Sequence, residues 1–262
     1  MGDINKLFRK RIGFPENEKV TFTNLDEILE KTAKTIPFEN ICVLNKDTSD
    51  VTKENLIHKV LQRNEGGLCY ELNSIFFTFL LENNLPVTLV RGAVYEQASQ
   101  SWARTGLTHV TILVEHENEK YLLDTGFGGN LPLKPVPLNG TVVESENGYF
   151  RVKKVDSEYG NYVLEMKLKY KDEDWRLGYA FDTNSLVKDL IELNAIKNII
   201  RDSEYSSFNK APLMTRRLEG GNLILTDNSF TIWKDGKVLK ETITQEKFQQ
   251  LAQQYFSINV NT

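Results

Sequence analysis

Apolar residues in the first third of the chain recur at the three-and-four spacing of buried helix faces. Leu25, Ile28, Leu29, Ala33 and Ile36 form one stripe, with Thr23 as N-cap and Pro37 as stop. Thr52 caps a second helix carrying Leu56, Ile57, Val60 and Leu61, while His58 falls off that face and is expected in solvent. A third stripe of Leu68, Leu72, Ile75, Phe76, Phe79 and Leu80 predicts a helix that places Cys69 in its first turn and closes near Asn83-Asn84. Between the first two helices lies Pro37-Phe38-Glu39-Asn40-Ile41-Cys42, a short apolar segment with one embedded carboxylate.

From Pro86 the pattern changes to strands. Val87–Tyr95, Leu107–Val114, Tyr121–Asp124, Tyr149–Val155, Tyr162–Tyr170 and Arg176–Phe181 are β-rich runs separated by Gly, Pro, Asn or charged turns. Short strands in succession favour a barrel or sandwich over βαβ units. A long helix is expected from about Ser185 to Ile200, with Leu186, Leu190, Leu193 and Ile196 or Ile199 inward. Strands then return at Leu213–Leu218, Leu223–Thr226, Phe230–Trp233 and Val238–Ile243, before a last helix with Phe248, Leu251, Ala252 and Tyr255. The class is α+β, divided at residues 1–85, 86–183 and 184–262.

Composition narrows the field without naming a function. A chain of 262 residues, 40% hydrophobic and 26% charged, can bury a large core. A formal charge of −4 with scattered Lys and Arg offers no basic stripe, so nucleic acid is not an expected partner. The longest apolar runs fall well short of the roughly 20 residues of a membrane span, and Met1–Lys6 lacks a signal peptide's apolar core. Neither a membrane partner nor secretion is expected. Two cysteines suit a reducing compartment, and a cytoplasmic location is the expectation.

The candidate chemistry centres on Gly66-Gly67-Leu68-Cys69. In the first helical turn, unpaired backbone N–H groups and the positive end of the dipole favour an anionic sulfur. The two glycines would let a backbone or a substrate approach closely. The alternative is a cysteine packed as a small hydrophobe, which is the expected role of Cys42, framed by neither a glycine pair nor a helix start.

A catalytic cysteine needs an imidazole, and the imidazole an orienting group. Of three histidines, His116 lies in the charged turn Glu115–Glu119 and His58 on a helix surface, which leaves His109 in Thr108–Val114. Alternation puts His109, Thr111 and Leu113 on one face of that strand. If a two-residue turn at Glu117-Asn118 joins it to the next strand, Thr111 faces Asp124 and His109 becomes Asp124's diagonal neighbour. A bulge would turn Asp124 away, leaving it a turn former and His109 a core residue. The glycine-rich turn Gly126-Phe127-Gly128-Gly129 could present N–H groups to an anion, but it matches neither phosphate-loop nor dinucleotide fingerprints. The His and Cys spacings suggest no metal.

Pro37-Phe38-Glu39-Asn40, Gly66–Asn73, Thr105-Gly106-Leu107-Thr108-His109 and Asp124–Gly128, in that order, resemble the motifs of the arylamine N-acetyltransferases. The resemblance implies a helical bundle, a β-barrel and an α/β lid around a cysteine-protease-like core, with a Cys69-His109-Asp124 triad. It implies ping-pong transfer from acetyl-coenzyme A to small aromatic amines or hydrazines. Cys69 would take the acetyl group, His109 would act as base and Asp124 would orient it. Thr105, Gly106, Gly126, Phe127 and Gly128 would lie along the coenzyme, and Phe38 and Phe127 would line the acceptor pocket, whose aromatic walls suit flat amines.

One position departs from the family pattern. Where the family has Arg before the glycine pair, this chain has Glu65. By resemblance that Arg pairs with the carboxylate matching Glu39, so Arg63 is the candidate replacement, and Glu65 should turn to solvent or pair with Arg63. A Glu39–Glu65 encounter would be a costly buried like-charge pair. Competing functions are a Cys-His-Asp thiol hydrolase or amidase, a weakly active coenzyme-binding relative, or an amide-forming enzyme with a larger acyl donor.

Overall fold

The computed structural model describes residues 3–260, so Met1, Gly2, Asn261 and Thr262 lie outside the described residues. It opens with α1 (Asp3–Ile12) and α2 (Leu25–Thr35), and Pro37 follows the end of α2 as the pattern requires. A two-residue strand, β1 (Phe38–Glu39), and two single-turn helices, α3 (Ile41–Leu44) and α4 (Lys53–Leu56), lead to α5 (Cys69–Glu82). Thr52 Oγ1 accepts the Asn55 N–H at 3.2 Å, the expected cap.

Helix α5 is the axis of the helical region. The periodic face is buried, and so are Tyr70, Glu71, Asn73 and Ser74 on its other sides. Phe8 of α1 stacks on Phe79 at 4.5 Å between ring centroids, and Ile112 and Leu123 of the following strands close the same core. The buried polar side chains Ser74 and Asn73 are hydrogen-bonded inside the molecule, Ser74 to the Tyr70 carbonyl and Asn73 to that of Val110.

The strand region begins with β2 (Val87–Glu96) and the short β3 (Ser101–Trp102), then β4 (His109–His116) and β5 (Glu119–Leu123). It continues through β6 (Val136–Pro137), β7 (Val143–Ser145), β8 (Gly148–Ser157), β9 (Gly160–Leu168) and β10 (Arg176–Val187). The antiparallel order β6-β5-β4-β2-β10-β9-β8-β7 curls into a nearly closed barrel. Its interior is filled by Val90, Leu113, Phe150, Leu164 and Phe181.

The helix expected from Ser185 starts later. Strand β10 runs on to Val187, half-exposing Leu186, and only after a 3-10 turn does α6 (Leu193–Asp202) begin, burying Leu193, Ile196 and Ile200. The polar run Thr183-Asn184-Ser185 bulges out between the two paired stretches, after which Leu186 and Val187 pair with Val90 and Leu89 of β2, and sheet pairing outweighs the apolar spacing there. Beyond α6, β11 (Leu213–Leu218), β12 (Gly221–Thr226), β13 (Ser229–Lys234) and β14 (Lys237–Thr242) form an antiparallel sheet, backed by α7 (Gln245–Leu251) through Phe248 and Leu251. Strand β1 joins the edge of this sheet, Phe38 opposite Thr215, so the segment before α3 ties the helical region to the last sheet. Among the described residues no helix is long and apolar enough to cross a membrane.

Candidate active site

The Cys69 loop is held from below. Gly67 accepts the Glu39 N–H at 3.0 Å and donates to the Pro37 carbonyl at 3.3 Å. A Cβ on Gly66 would collide with that carbonyl, so this glycine serves the chain's own backbone rather than a substrate above the sulfur. The glycine that packs on Cys69 is Gly126, where a Cβ would lie 2.5 Å from the Cys69 Cα.

Glu71, three residues after the Leu68 N-cap, reaches back to accept the Leu68 N–H at 3.0 Å, one arm of a capping box. Its other oxygen takes a 2.6 Å bond from Lys59 Nζ. Lys59 also lies 3.7 Å from Glu39 and 3.0 Å from Cys42 Sγ. The Lys59 and Glu39 side chains are almost fully enclosed, and burial drives the Glu39 pKa up despite Lys59. Burial disfavours the Lys59 ammonium, yet Glu71, Cys42 and Glu39 together hold its pKa well above the usual lysine value. Lys59, not Arg63, is therefore the cation at Glu39. Arg63 instead pairs with Glu65 at 2.8 Å near the surface, as expected for a tolerated Glu65.

On the barrel side the hairpin register is the expected one. Ile112 faces Leu123 and His116 faces Glu119, with Glu117 and Asn118 both at positive φ in the turn. One step further along this register, Thr111 stands beside Asp124. His109 Nε2 meets Asp124 Oδ2 at 2.8 Å, both groups buried. The same carboxylate accepts the Gly126 N–H at 2.7 Å, Asn73 Nδ2 at 2.9 Å and the Tyr179 hydroxyl at 2.8 Å. Asp124 is thus a turn former and an orienting carboxylate at once.

Asn73 sits one turn after Cys69 and uses its whole amide. It donates to Val110 O and Asp124, and accepts from the Thr125 N–H and hydroxyl. It fastens the helix of the cysteine to the strand of the histidine. The second His109 nitrogen is left free of Asp124, with the Cys69 sulfur close enough to act on the ring, while Cys69 Sγ itself donates to the Thr108 carbonyl at 3.5 Å. Burial alone would lower the His109 pKa, but the Asp124 carboxylate and the Cys69 sulfur outweigh it and raise it to about 10. His109 is therefore an imidazolium at neutral pH, a positive group that carries an exchangeable proton next to the Cys69 sulfur.

Cys69 and His109 open into a cavity of about 580 Å³. Phe38, Thr105, Gly126, Phe127 and Gly128 line the same cavity, whereas Gly106 does not reach its wall. Phe127 packs against His109 and edge-on to Tyr179, with centroids 5.2 and 5.0 Å away, and Phe38 packs edge-on to Phe208. Asn73 carried a usable signal, being a polar residue four positions from Cys69 on the same helix face. Tyr179, from a strand far along the chain, carried none.

Residues 21–262 match the sequence model of a family described as N-acetyltransferase. The chain belongs to the arylamine N-acetyltransferase family. It is therefore an acyltransferase. It is similar over 98% of its length, and 98% of the relative's, to the uncharacterized acetyltransferase YvcN of Bacillus subtilis, at 38% identity. At 31% identity it resembles the probable arylamine N-acetyltransferase 2 of Dictyostelium discoideum, covering 90% of this chain and 85% of that one. Its fold is similar, with a TM-score of 0.93 and 41% identity over 99% of this chain and 100% of the other, to the arylamine N-acetyltransferase NAT3 of Bacillus cereus. That structure was reported to reveal a unique Cys-His-Glu catalytic triad; in the present chain the carboxylate against His109 is Asp124.

Proposed function

We propose that the protein transfers an acetyl group from acetyl-coenzyme A to the nitrogen of aromatic amines and hydrazines through an acetyl-Cys69 intermediate. The observation that carries this reading is the buried Cys69-His109-Asp124 chain at the wall of a large, partly aromatic cavity. The cavity can admit the thioester end of the coenzyme, and the exposed Lys169 and Lys171 at its mouth suit phosphate groups. Thr105 and the Gly126–Gly128 turn border the path to the sulfur, and Phe38 and Phe127 offer flat apolar walls to an aryl ring.

In the first half-reaction the Cys69 thiolate attacks the thioester carbonyl. A carbon–sulfur bond forms to Cys69, the bond to the coenzyme sulfur breaks, and the His109 imidazolium protonates the departing thiolate. In the second, the amine nitrogen attacks the acetyl-Cys69 carbonyl while His109, now neutral, takes its proton. The carbon–sulfur bond breaks, restoring the Cys69 thiolate beside a protonated His109. Asp124 holds the ring in place throughout and stabilises its charged form.

Intact-protein mass spectrometry after mixing with acetyl-coenzyme A, without acceptor, tests this directly. One acetyl adduct mapping to Cys69 is expected, discharged by added aryl amine as the acetylated amine. An adduct on Cys42, or amide cleavage without coenzyme and no adduct, overturns the reading.

A further inference from the structure

The wall of the cavity supplied by β11 and β12 is unlike its aromatic side. Thr215 and Arg217 point into it from β11, and Asn222, the cross-strand partner of Arg217, from β12. Thr215 and Arg217 are 6% and 3% exposed. Thr215 Oγ1, Arg217 Nε and Asn222 Oδ1 are nevertheless enclosed without a hydrogen-bond partner. A buried polar group without a partner is costly, and three on one cavity wall mark the place of a ligand's polar end.

The neighbourhood sets the direction. Phe38 is the strand partner of Thr215, so the patch begins where the aromatic wall ends. A Cβ on Gly129 would stand 3.9 Å from Asn222 Nδ2 and 4.0 Å from Thr215 Oγ1, so the glycine keeps the space over the patch open. Arg217 is anchored by Asn147 at 2.7 Å, which in turn holds the carbonyls of Gly129 and Leu131. The patch is thus rigidly joined to the turn that also packs Gly126 on Cys69.

Charge selects the ligand chemistry. Arg217 has Glu146 at 3.5 Å, and nearby Lys34 is held by Glu219 at 2.7 Å, so the cations are already matched. Glu146 and Asp235 line the cavity as well. A carboxylate brought here would meet these acids, whereas a neutral group with both a donor and an acceptor can satisfy the three free atoms.

Building on the acceptor reading above, we propose that Thr215, Asn222 and Arg217 form a subsite for aromatic amines carrying a neutral carboxamide-type group opposite the amine. The probes are 4-aminobenzamide, 4-aminoacetophenone, which keeps the para carbonyl but lacks the N–H donor, and 4-aminobenzoate. Dissociation constants from ligand-observed NMR need no turnover, and Cys69 acetylation followed in parallel reports separately on the reading beneath. Binding of the benzamide about tenfold tighter than either analogue is expected, as for one buried hydrogen bond. Thr215→Val and Asn222→Leu should each erase most of that preference. Equal affinities in the wild type, tighter binding of the benzoate, or a preference that survives both substitutions overturns the proposal.

Discussion

The two cysteines lie near the same helix start and face different fates. Each has a cation close by: Cys42 has Lys59 at 3.0 Å, and Cys69 has the His109 ring, whose pKa its sulfur helps to raise. At Cys42, however, Lys59 is already shared between Glu71 and Glu39, and the thiol also touches Glu71. Burial, then the Glu71 charge, pushes the Cys42 pKa far above the usual thiol value. At Cys69 the single carboxylate, Asp124, lies behind the imidazole rather than beside the sulfur and is shared among four donors. A neighbouring cation is therefore not sufficient to lower a thiol's pKa: at Cys42, burial and the Glu71 charge outweigh Lys59.

The largest effect should come from exchanging the sulfurs. Cys69→Ser is expected to lower acetyl transfer by at least about a thousandfold, while Cys42→Ser stays within about threefold of wild type. Steady-state rates with one aryl amine decide it, and comparable losses would erase the contrast between the two sites.

Next is the cation at the quiet cysteine. Lys59→Met leaves Glu39 and Glu71 buried without their counter-charge and should cost roughly 3–5 kcal/mol in denaturant unfolding. Adding Glu39→Gln and Glu71→Gln should recover much of that loss. A Lys59→Met protein as stable as wild type would show that the cluster is not what fixes the helix start.

The pH dependence sharpens the other site. His109 rises from 6.5 to about 10 on folding, so its stabilisation is complete below about pH 6.5 and is lost as pH climbs through about 10. With His109 charged across the neutral range, alkylation of Cys69 by iodoacetamide should be nearly flat from about pH 6 to 8. His109→Gln should give a rate rising with pH and remove the alkaline loss of stability. Identical profiles for the two proteins would break the assignment.

The smallest effect belongs to Glu65. Its pair with Arg63 is 2.8 Å long, but the side chains are 31% and 46% exposed. Glu65→Gln and Arg63→Ala should each change stability by no more than about 0.5–1 kcal/mol. A strong stabilisation by Glu65→Gln alone would mean that Glu65 and Glu39 do meet inside the protein.

Much of this protein is decided locally and is legible in its sequence. The period of the apolar residues places Cys69 at the start of a buried helix, because that spacing leaves one stripe to hide. The parity of the His109 and Asp124 strands is also local, since a two-residue turn fixes the register of a hairpin. Even the solvated Glu65 follows from an Arg two positions away. What the sequence leaves open is every partnership between distant segments. Lys59 sits among Ile57, Val60 and Leu61 and gives no sign that it will be the cation for Glu39 and Glu71, because helix packing alone brings the three together. Tyr179 reaches Asp124 only when the barrel curls, and strand β10 overrides the apolar spacing at Leu186 because β2 offers a pairing edge. The polar wall of Thr215, Arg217 and Asn222 is an ordinary strand pattern until the last sheet closes over the cavity. Local backbone preference determines the elements and the place of Cys69. Desolvation and charge balance, which exist only once the segments meet, determine the surroundings of each thiol and the polarity of the cavity wall.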